Sequence, residues 1–280
     1  MARDSTCILT HRPAFACENH SVPRVVIAGL GLIGGSLALA LRARGREVAY
    51  IDPAVPLEAA RRAGASELRL DGLDETREGD LVVLAMPVDV ALRALTTFER
   101  SDVVVTSVCS VMAPLRDAAK SRKIRFVAGH PFAGSEARGL AAARADLFEG
   151  RTWFLDVGGR EPGIEEMIRD SGATVVAIDP VEHDAAVALT SHLPQVISTA
   201  LASLIAERAV PPEFLGSGLL TLLRLAGSAH SVWQPVIESN HQPLTAARAA
   251  FEVALRRVAN GEGAEDFERA NKYQVLSAED

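Results

Sequence analysis

The chain has 280 residues, 48% of them hydrophobic and 23% charged, with a net charge of −7. That is enough apolar residue to build the cores of two ordinary domains, and it excludes a disordered tail. The acid excess excludes a general nucleic-acid binder, whose affinity rests on neutralising phosphates. Three widely spaced cysteines do not make a disulfide framework, which points to the reducing cytoplasm, and no apolar run reaches the ~18 residues of a membrane span.

Residues 1–21 lack an apolar core segment and a small-residue cleavage site, so they read as a loose extension rather than a secretory signal. Cys7, His11, Cys17 and His20 fit no common zinc spacing, and no metal is expected. Arg24 to Ala28 is a short apolar strand followed by GLGLIGG, with Gly29, Gly31 and Gly34 in the G-x-G-x-x-G spacing. A helix from Ser36 to Arg44 and a strand from Glu47 to Ile51 come next, and the strand closes on Asp52. Glycines between a strand and a helix, with an acid about 20 residues on, form a dinucleotide-binding fingerprint. Gly29 permits the tight turn, Gly31 lets a pyrophosphate approach the backbone, and Gly34 lets the helix pack on the strand. The phosphates then face the free N–H groups of the helix start, next to Leu32 and Ile33. A carboxylate at Asp52 accepts from ribose hydroxyls and repels a 2′-phosphate. No Arg follows it closely, so NAD is expected over NADP.

The alternation continues with strands at Asp80–Ala85, Asp102–Thr106, Ile124–Ala128, Arg151–Asp156 and Thr174–Ile178. Met86-Pro87 and a helix near Asp89–Phe98 follow the first of these, which adds Pro87 to the expected cofactor contacts. Another helix is expected at Pro162–Asp170. The pattern predicts a doubly wound parallel sheet, a Rossmann-type domain over residues 22–179. From Pro180 the apolar positions recur at helical spacing, with a kink expected at Pro194. Further helical segments are expected at Glu213–Leu225, Val232–Ser239, Leu244–Val258 and Ala264–Gln274. Residues 180–280 therefore read as an all-helical domain. Its helices carry more Leu, Ala and Val than they can hide, so a homodimer through this domain is expected.

His130 to Gly139, HPFAGSEARG, follows the apolar Phe126-Val127-Ala128 and reads as a loop at the end of a buried parallel strand. Such loops carry chemistry in α/β proteins, and His130 is the candidate acid or base. Ser110 reads by itself as a helix N-cap ahead of Val111-Met112. Arg224 is the sole charge in Leu215–Ala226 and needs a partner or a path to water.

The chain resembles the prephenate and arogenate dehydrogenase family of tyrosine biosynthesis. The resemblance rests on GLGLIGGSLA at Gly29–Ala38, SVCSV at Ser107–Val111 and HPFAGSEARG. EHDAAVALTSHLPQ at Glu182–Gln195 and GLLTLLRLAGSAHSVWQPVIESN at Gly218–Asn240 complete it. It implies an NAD-dependent oxidative decarboxylation of prephenate to 4-hydroxyphenylpyruvate, with His130 taking the proton of the ring hydroxyl. Ser110 is implied to hydrogen-bond the same oxygen or orient His130. Arg224 is implied to bind a substrate carboxylate and to pair with Glu136 when the site is empty. Ser135 is implied to lie near the substrate side chain. Trp233 either walls the pocket or fills the domain core, and His192 either contacts substrate or holds the helix at the domain junction.

The chain departs from the family pattern. Gln195 stands where a second His is common, and Ser107, Met112, Leu220, Thr221 and Leu223 replace more polar residues. These changes touch the reading of the substrate side chain, so arogenate is the alternative substrate. A β-hydroxyacid dehydrogenase would need a Lys in the helical domain, and Ile178 to Ala259 has none. A non-catalytic NAD-binding regulator is a further alternative, disfavoured by the combination of His130, Ser110 and Arg224.

Overall fold

The computed structural model describes residues 23–134 and 137–277. The N-terminal extension, including Cys7, His11, Cys17 and His20, lies outside them, as do Ser135 and Glu136.

The sequence Val-Val-Ile-Ala of β1 (Val25–Ala28) is fully buried, as suits a parallel strand covered on both faces. Around it β2 (Val48–Ile51), β3 (Leu68–Arg69), β4 (Leu81–Leu84), β5 (Val104–Ser107) and β6 (Phe126–Val127) form a parallel sheet of order β3-β2-β1-β4-β5-β6. Successive residues of β1 point to opposite faces: Val25 and Ile27 join one core, Val26 and Ala28 the other. Four helices connect these strands: α1 (Leu32–Ala43), α2 (Leu57–Arg62), α3 (Val88–Thr97) and α4 (Ala113–Ser121). The strand order reverses beside β1, so a crevice opens at the carboxyl ends of β1 and β4.

The sequence alternation predicts one parallel sheet, but the chain builds two. After Ala128 it leaves the first sheet and forms β7 (Gly129–Pro131), which runs antiparallel to β8 (Thr152–Asp156). β8 pairs in parallel with β9 (Thr174–Ile178) across the crossover helix α5 (Pro162–Asp170). His130 therefore sits inside a short strand, opposite Phe154, and not in a loop.

The remainder of the described chain is helical. α6 (Pro180–Val187), a π turn at Ala188–His192 and α7 (Leu193–Glu207) run on as one helix of 28 residues. Pro194 does not end it. The residue lacks an N–H and would crowd the carbonyl one α-turn back, and the wider π turn directly before it accommodates both. The irregularity expected at Pro194 is this π turn. By length and composition alone this helix is long and apolar enough to cross a membrane, although Thr190, Ser191, His192 and Gln195 break its apolar run. Among its polar residues, His183, Asp184, His192, Gln195 and Ser198 are buried within the protein, whereas Glu182, Thr190 and Thr199 are exposed.

α8 (Ser217–Leu223) is shorter than expected. Turns of 3₁₀ helix at Pro212–Phe214 and Arg224–Gly227 flank it, next to Gly216 and Gly227. α9 (His230–Ser239), α10 (His241–Ala259) and α11 (Ala264–Ser277) follow. Much of this domain's apolar surface is open in the single chain, with Phe214 74%, Phe267 62% and Leu222 61% exposed.

The glycines of the first turn differ in what they tolerate. Gly29 has φ +102°, and a Cβ there would lie 2.3 Å from the Ala85 carbonyl oxygen; a Cβ on Gly34 would lie 2.0 Å from the Gly29 carbonyl oxygen. A Cβ on Gly31 meets nothing within 4 Å. Gly34→Ala should therefore destabilise the fold by about 2 kcal/mol or more in a denaturant melt, whereas Gly31→Ala should stay within about 0.5 kcal/mol of wild type.

Candidate active site

The crevice begins at the helix start. α1 has Gly31 as its N-cap with no side-chain cap, so its first N–H groups are left for a ligand. Asp52, just past β2, accepts from Leu30 N at 2.8 Å and from Ala54 N at 2.9 Å. These bonds tie the acid to the glycine turn and leave further acceptor capacity on both oxygens. A cavity of about 660 Å³ runs from this turn to the helical domain; Gly31, Leu32, Ile33, Pro87, Arg224 and Trp233 are among its walls. The structure thus brings the glycine turn, Pro87, Arg224 and Trp233 together, and Trp233 walls the pocket. Arg224 begins the 3₁₀ turn after α8 and reaches water as well as this cavity, which answers the question posed by a lone cation in an apolar run.

Beside the cavity lies a buried chain of hydrogen bonds between the two domains. Asp184 of α6 accepts from Met112 N and Ala113 N, each at 2.8 Å, and so caps α4 from the other domain. Ser110 is not that cap: α4 has Met112 at its N-cap position with no side-chain bond, and among the described residues the Ser110 hydroxyl has no hydrogen-bond partner. Ser110 is half-buried between β5 and α4.

Asp184 Oδ1 also lies 2.8 Å from His183 Nδ1, and His183 Nε2 lies 2.9 Å from His130 Nδ1. These contacts fix the tautomers. Both carboxylate oxygens of Asp184 already accept backbone N–H groups, so His183 Nδ1 must donate to it. In that Nδ1–H tautomer His183 has a bare Nε2, which accepts from His130 Nδ1–H. His130 Nε2 is left with a free lone pair. Burial, with His183 and His192 nearby, pushes the His130 pKa down to about 3.

A second branch leaves the same Asp184. Asn240 Nδ2 donates to the Asp184 carbonyl oxygen at 2.9 Å and faces His192 Nδ1 at 3.0 Å. The His192 ring packs edge-on against Trp233, with centroids 5.9 Å apart, and burial pushes its pKa down to about 4. Gln195 is buried one turn further on, its Nε2 donating to the Leu225 carbonyl at 2.8 Å and to Thr199 Oγ1 at 3.0 Å. His183, Asp184 and Asn240 were not singled out as site residues from the sequence. The one signal was the His-Asp pair at the start of an otherwise apolar helix.

Fold and site together define a two-domain nucleotide-binding protein of the Rossmann class, with a buried, oriented imidazole between its domains. The chain belongs to the prephenate dehydrogenase family. Its residues 37–179 match the family model described as prephenate dehydrogenase, nucleotide-binding domain, and residues 179–273 match prephenate dehydrogenase, dimerization domain. It is 32% identical over 258 residues to the probable prephenate dehydrogenase NovF of Streptomyces niveus, covering 85% of this chain and 70% of that one. It is 29% identical over 242 residues to the prephenate dehydrogenase of Bacillus subtilis, covering 79% of this chain but only 65% of the relative's length. Its fold is that of the A. aeolicus prephenate dehydrogenase solved with hydroxyphenyl propionate and NAD+, with a TM-score of 0.81 at 24% identity over 94% of this chain and 99% of that one.

The lowered histidine pKa values have a consequence for stability. A His whose folded pKa lies below its unfolded value of about 6.5 binds fewer protons folded than unfolded in the interval between them. Its neutral burial is fully tolerated above that unfolded value, and stability is lost as pH falls toward the folded values of about 4 for His192 and about 3 for His130. The melting temperature should therefore decline as pH drops from about 6.5 to 4, and His192→Gln should flatten that decline.

Proposed function

We propose that the chain is an NAD-dependent prephenate dehydrogenase, which oxidatively decarboxylates prephenate to 4-hydroxyphenylpyruvate. The observation that carries this is the His130–His183–Asp184 chain, which leaves His130 Nε2 as a base beside a nucleotide-binding crevice. The residues present fit the cofactor: Gly31 is open to a pyrophosphate, the α1 N–H groups are uncapped, and Asp52 retains acceptors for ribose hydroxyls. NAD, when bound, accepts the hydride that leaves ring carbon 4.

The protein's own part is to position the ring and take a proton. His130 Nε2 accepts the proton of the carbon-4 hydroxyl, and His183 Nε2 accepts from Nδ1–H of the imidazolium so formed. Asp184 holds His183 in the required tautomer through Nδ1. The ring carboxylate then leaves as carbon dioxide, its bonding pair enters the ring and displaces a pair onto the carbon-4 oxygen, that oxygen takes the proton back from His130 Nε2, and aromatisation drives the step. Arg224 is the candidate partner of a substrate carboxylate at the cavity wall, Ser110 a candidate partner of the substrate hydroxyl, and Ser135 and Glu136 remain candidate neighbours of the side chain.

Arogenate differs from prephenate only in carrying an ammonium where prephenate has a keto oxygen. Gln195, neutral where the family often carries a second His, supports its acceptance as a second substrate, because it removes a possible repulsion of the ammonium. The exposed apolar residues of the helical domain support a homodimer formed through it, with the outer face of the Pro180–Glu207 helix meeting protein rather than lipid. The acidic chain remains an unsuitable partner for nucleic acid. The buried free thiol of Cys109 accords with a cytoplasmic enzyme.

The purified protein should reduce NAD faster than NADP with prephenate, and His130→Asn should lower kcat by about 10²–10⁴-fold while NAD binding persists. No turnover of prephenate or arogenate by wild type would sink this reading in favour of an NAD-binding regulator. In sedimentation at micromolar concentration the protein should run as a dimer; a monomer would remove the proposed interface.

A further inference from the structure

The turn after β2 carries Asp52, and a second charge stands beside it. β2 and β3 run in parallel, with Tyr50 in register with Arg69 and the Leu70 N–H donating to the Tyr50 carbonyl at 2.8 Å. Residues in register on neighbouring strands share a face of the sheet. Arg69 therefore lies on the Tyr50 face, and Asp52 follows Tyr50 by two positions, just past the strand end. The Tyr50 hydroxyl donates to the Val55 carbonyl at 2.8 Å, so the turn that follows Asp52 is tied to this face. Strand spacing and rise put the Arg69 and Asp52 backbones roughly 8 Å apart, close to the reach of one arginine side chain. The fields of both charges meet at the Tyr50 phenol: burial raises its pKa, Arg69 works against that shift, and Asp52 adds to it.

The other arginines of this corner are engaged. Arg61 pairs with Glu58 at 3.1 Å and with Glu67 at 3.2 Å, and Arg42 shares Glu67 at 3.3 Å. Arg69 makes no ion pair among the described residues. It is half-buried, and its Nε is buried with no hydrogen-bond partner. Asp52 does not hold it, since the carboxylate accepts from Leu30 N and Ala54 N instead. A partly desolvated guanidinium without an anion is uncommon and calls for a reason. The sequence does not announce the arrangement. No Arg follows Asp52 closely, and Arg69 is returned to it only by the crossover through α2.

We propose that Arg69 is a cofactor-selectivity residue, a cation beside Asp52 that binds the 2′-phosphate of NADP when the Asp52 charge is removed, so that Asp52 alone keeps the site for NAD. The inference rests on the reading of Asp52 as the acid that meets the adenosine ribose. NAD presents a 2′-hydroxyl there, which donates to a carboxylate; NADP presents a phosphate dianion, which a carboxylate repels. A guanidinium fork matches two phosphate oxygens and gains far less from a hydroxyl. Arg69 thus favours NADP and Asp52 disfavours it, within one corner of the fold. Removing each should move the ratio of the two affinities in opposite directions.

The test measures Kd for NAD and NADP on the full chain by isothermal titration calorimetry. Adenosine 5′-monophosphate and adenosine 2′,5′-bisphosphate serve as probes of the adenosine end alone. Arg69→Ala should weaken NADP at least about fivefold relative to NAD, with NAD itself changed by less than about twofold. Asp52→Asn should shift the ratio toward NADP by at least about tenfold, and adding Arg69→Ala should cancel most of that gain. Arg61→Ala, which removes a neighbouring but paired charge, should leave the ratio within about twofold of wild type. A ratio that Arg69→Ala does not move, or that Arg61→Ala moves as far, overturns the proposal. Where wild type binds NADP too weakly to measure, the Asp52→Asn background decides, and undetectable NADP binding there overturns the proposal as well. If Asp52→Asn does not fold, the two adenosine probes on wild type and Arg69→Ala supply the deciding ratio. Failure of the dehydrogenase reading looks different: wild type would bind NAD and turn over neither prephenate nor arogenate, while the affinity ratios would still decide the role of Arg69.

Discussion

The carboxylate of Asp184 is the interaction on which the rest depends. It is 2% exposed and accepts three N–H groups at 2.8 Å: two from the start of α4 in the first domain and one from its neighbour His183. A buried acid without such donors would be costly; with them it becomes a fixed point. It closes the end of α4, joins the helical domain to the nucleotide-binding domain, and orients the imidazole that orients His130. Placing one group under all three demands means that the base is set only when the domains are docked.

The strand that carries His130, the proposed base, is positioned by an equally physical compromise. A parallel strand continuing from β6 would bury His130 in the sheet. By leaving the sheet at Ala128 and pairing in reverse with β8, the chain sets Gly129–Pro131 at the domain boundary, where His130 can meet a residue of α6. The rings of Phe132, Phe154 and His183 then enclose the imidazole, with centroids 5.1 to 6.5 Å from it. This environment favours the neutral form of His130, as its proposed role of base requires.

The helical domain shows a different balance. Its long helix buries His183, Asp184, His192, Gln195 and Ser198, whereas Leu, Val and Phe side chains elsewhere in the domain are open to solvent in the single chain. This inverts the usual order of a soluble helix. The inversion makes sense where the inward face serves a polar site and the outward face serves another copy of the chain.

Much of this was legible in the sequence because it is local. A Gly-x-Gly-x-x-Gly between a strand and a helix has one inexpensive conformation, and Gly29 and Gly34 occupy it for the tight turn and close packing their spacing implies. The alternation of apolar strands with helices and the change to helical spacing at Pro180 depend on residues close in the chain or on a simple period. The relay could not be read that way. His130 and His183 are 53 residues apart, and Asp184 caps a helix 71 residues upstream, so no spacing announces either contact. His183 and His192, nine positions apart, would face about 180° from each other on an ordinary α-helix. The π turn at Ala188–His192 slows the rotation, and both rings end up buried in one network. Which nitrogen of each histidine carries a proton was decided only by the tertiary structure, because a tautomer is set by the atom that faces it.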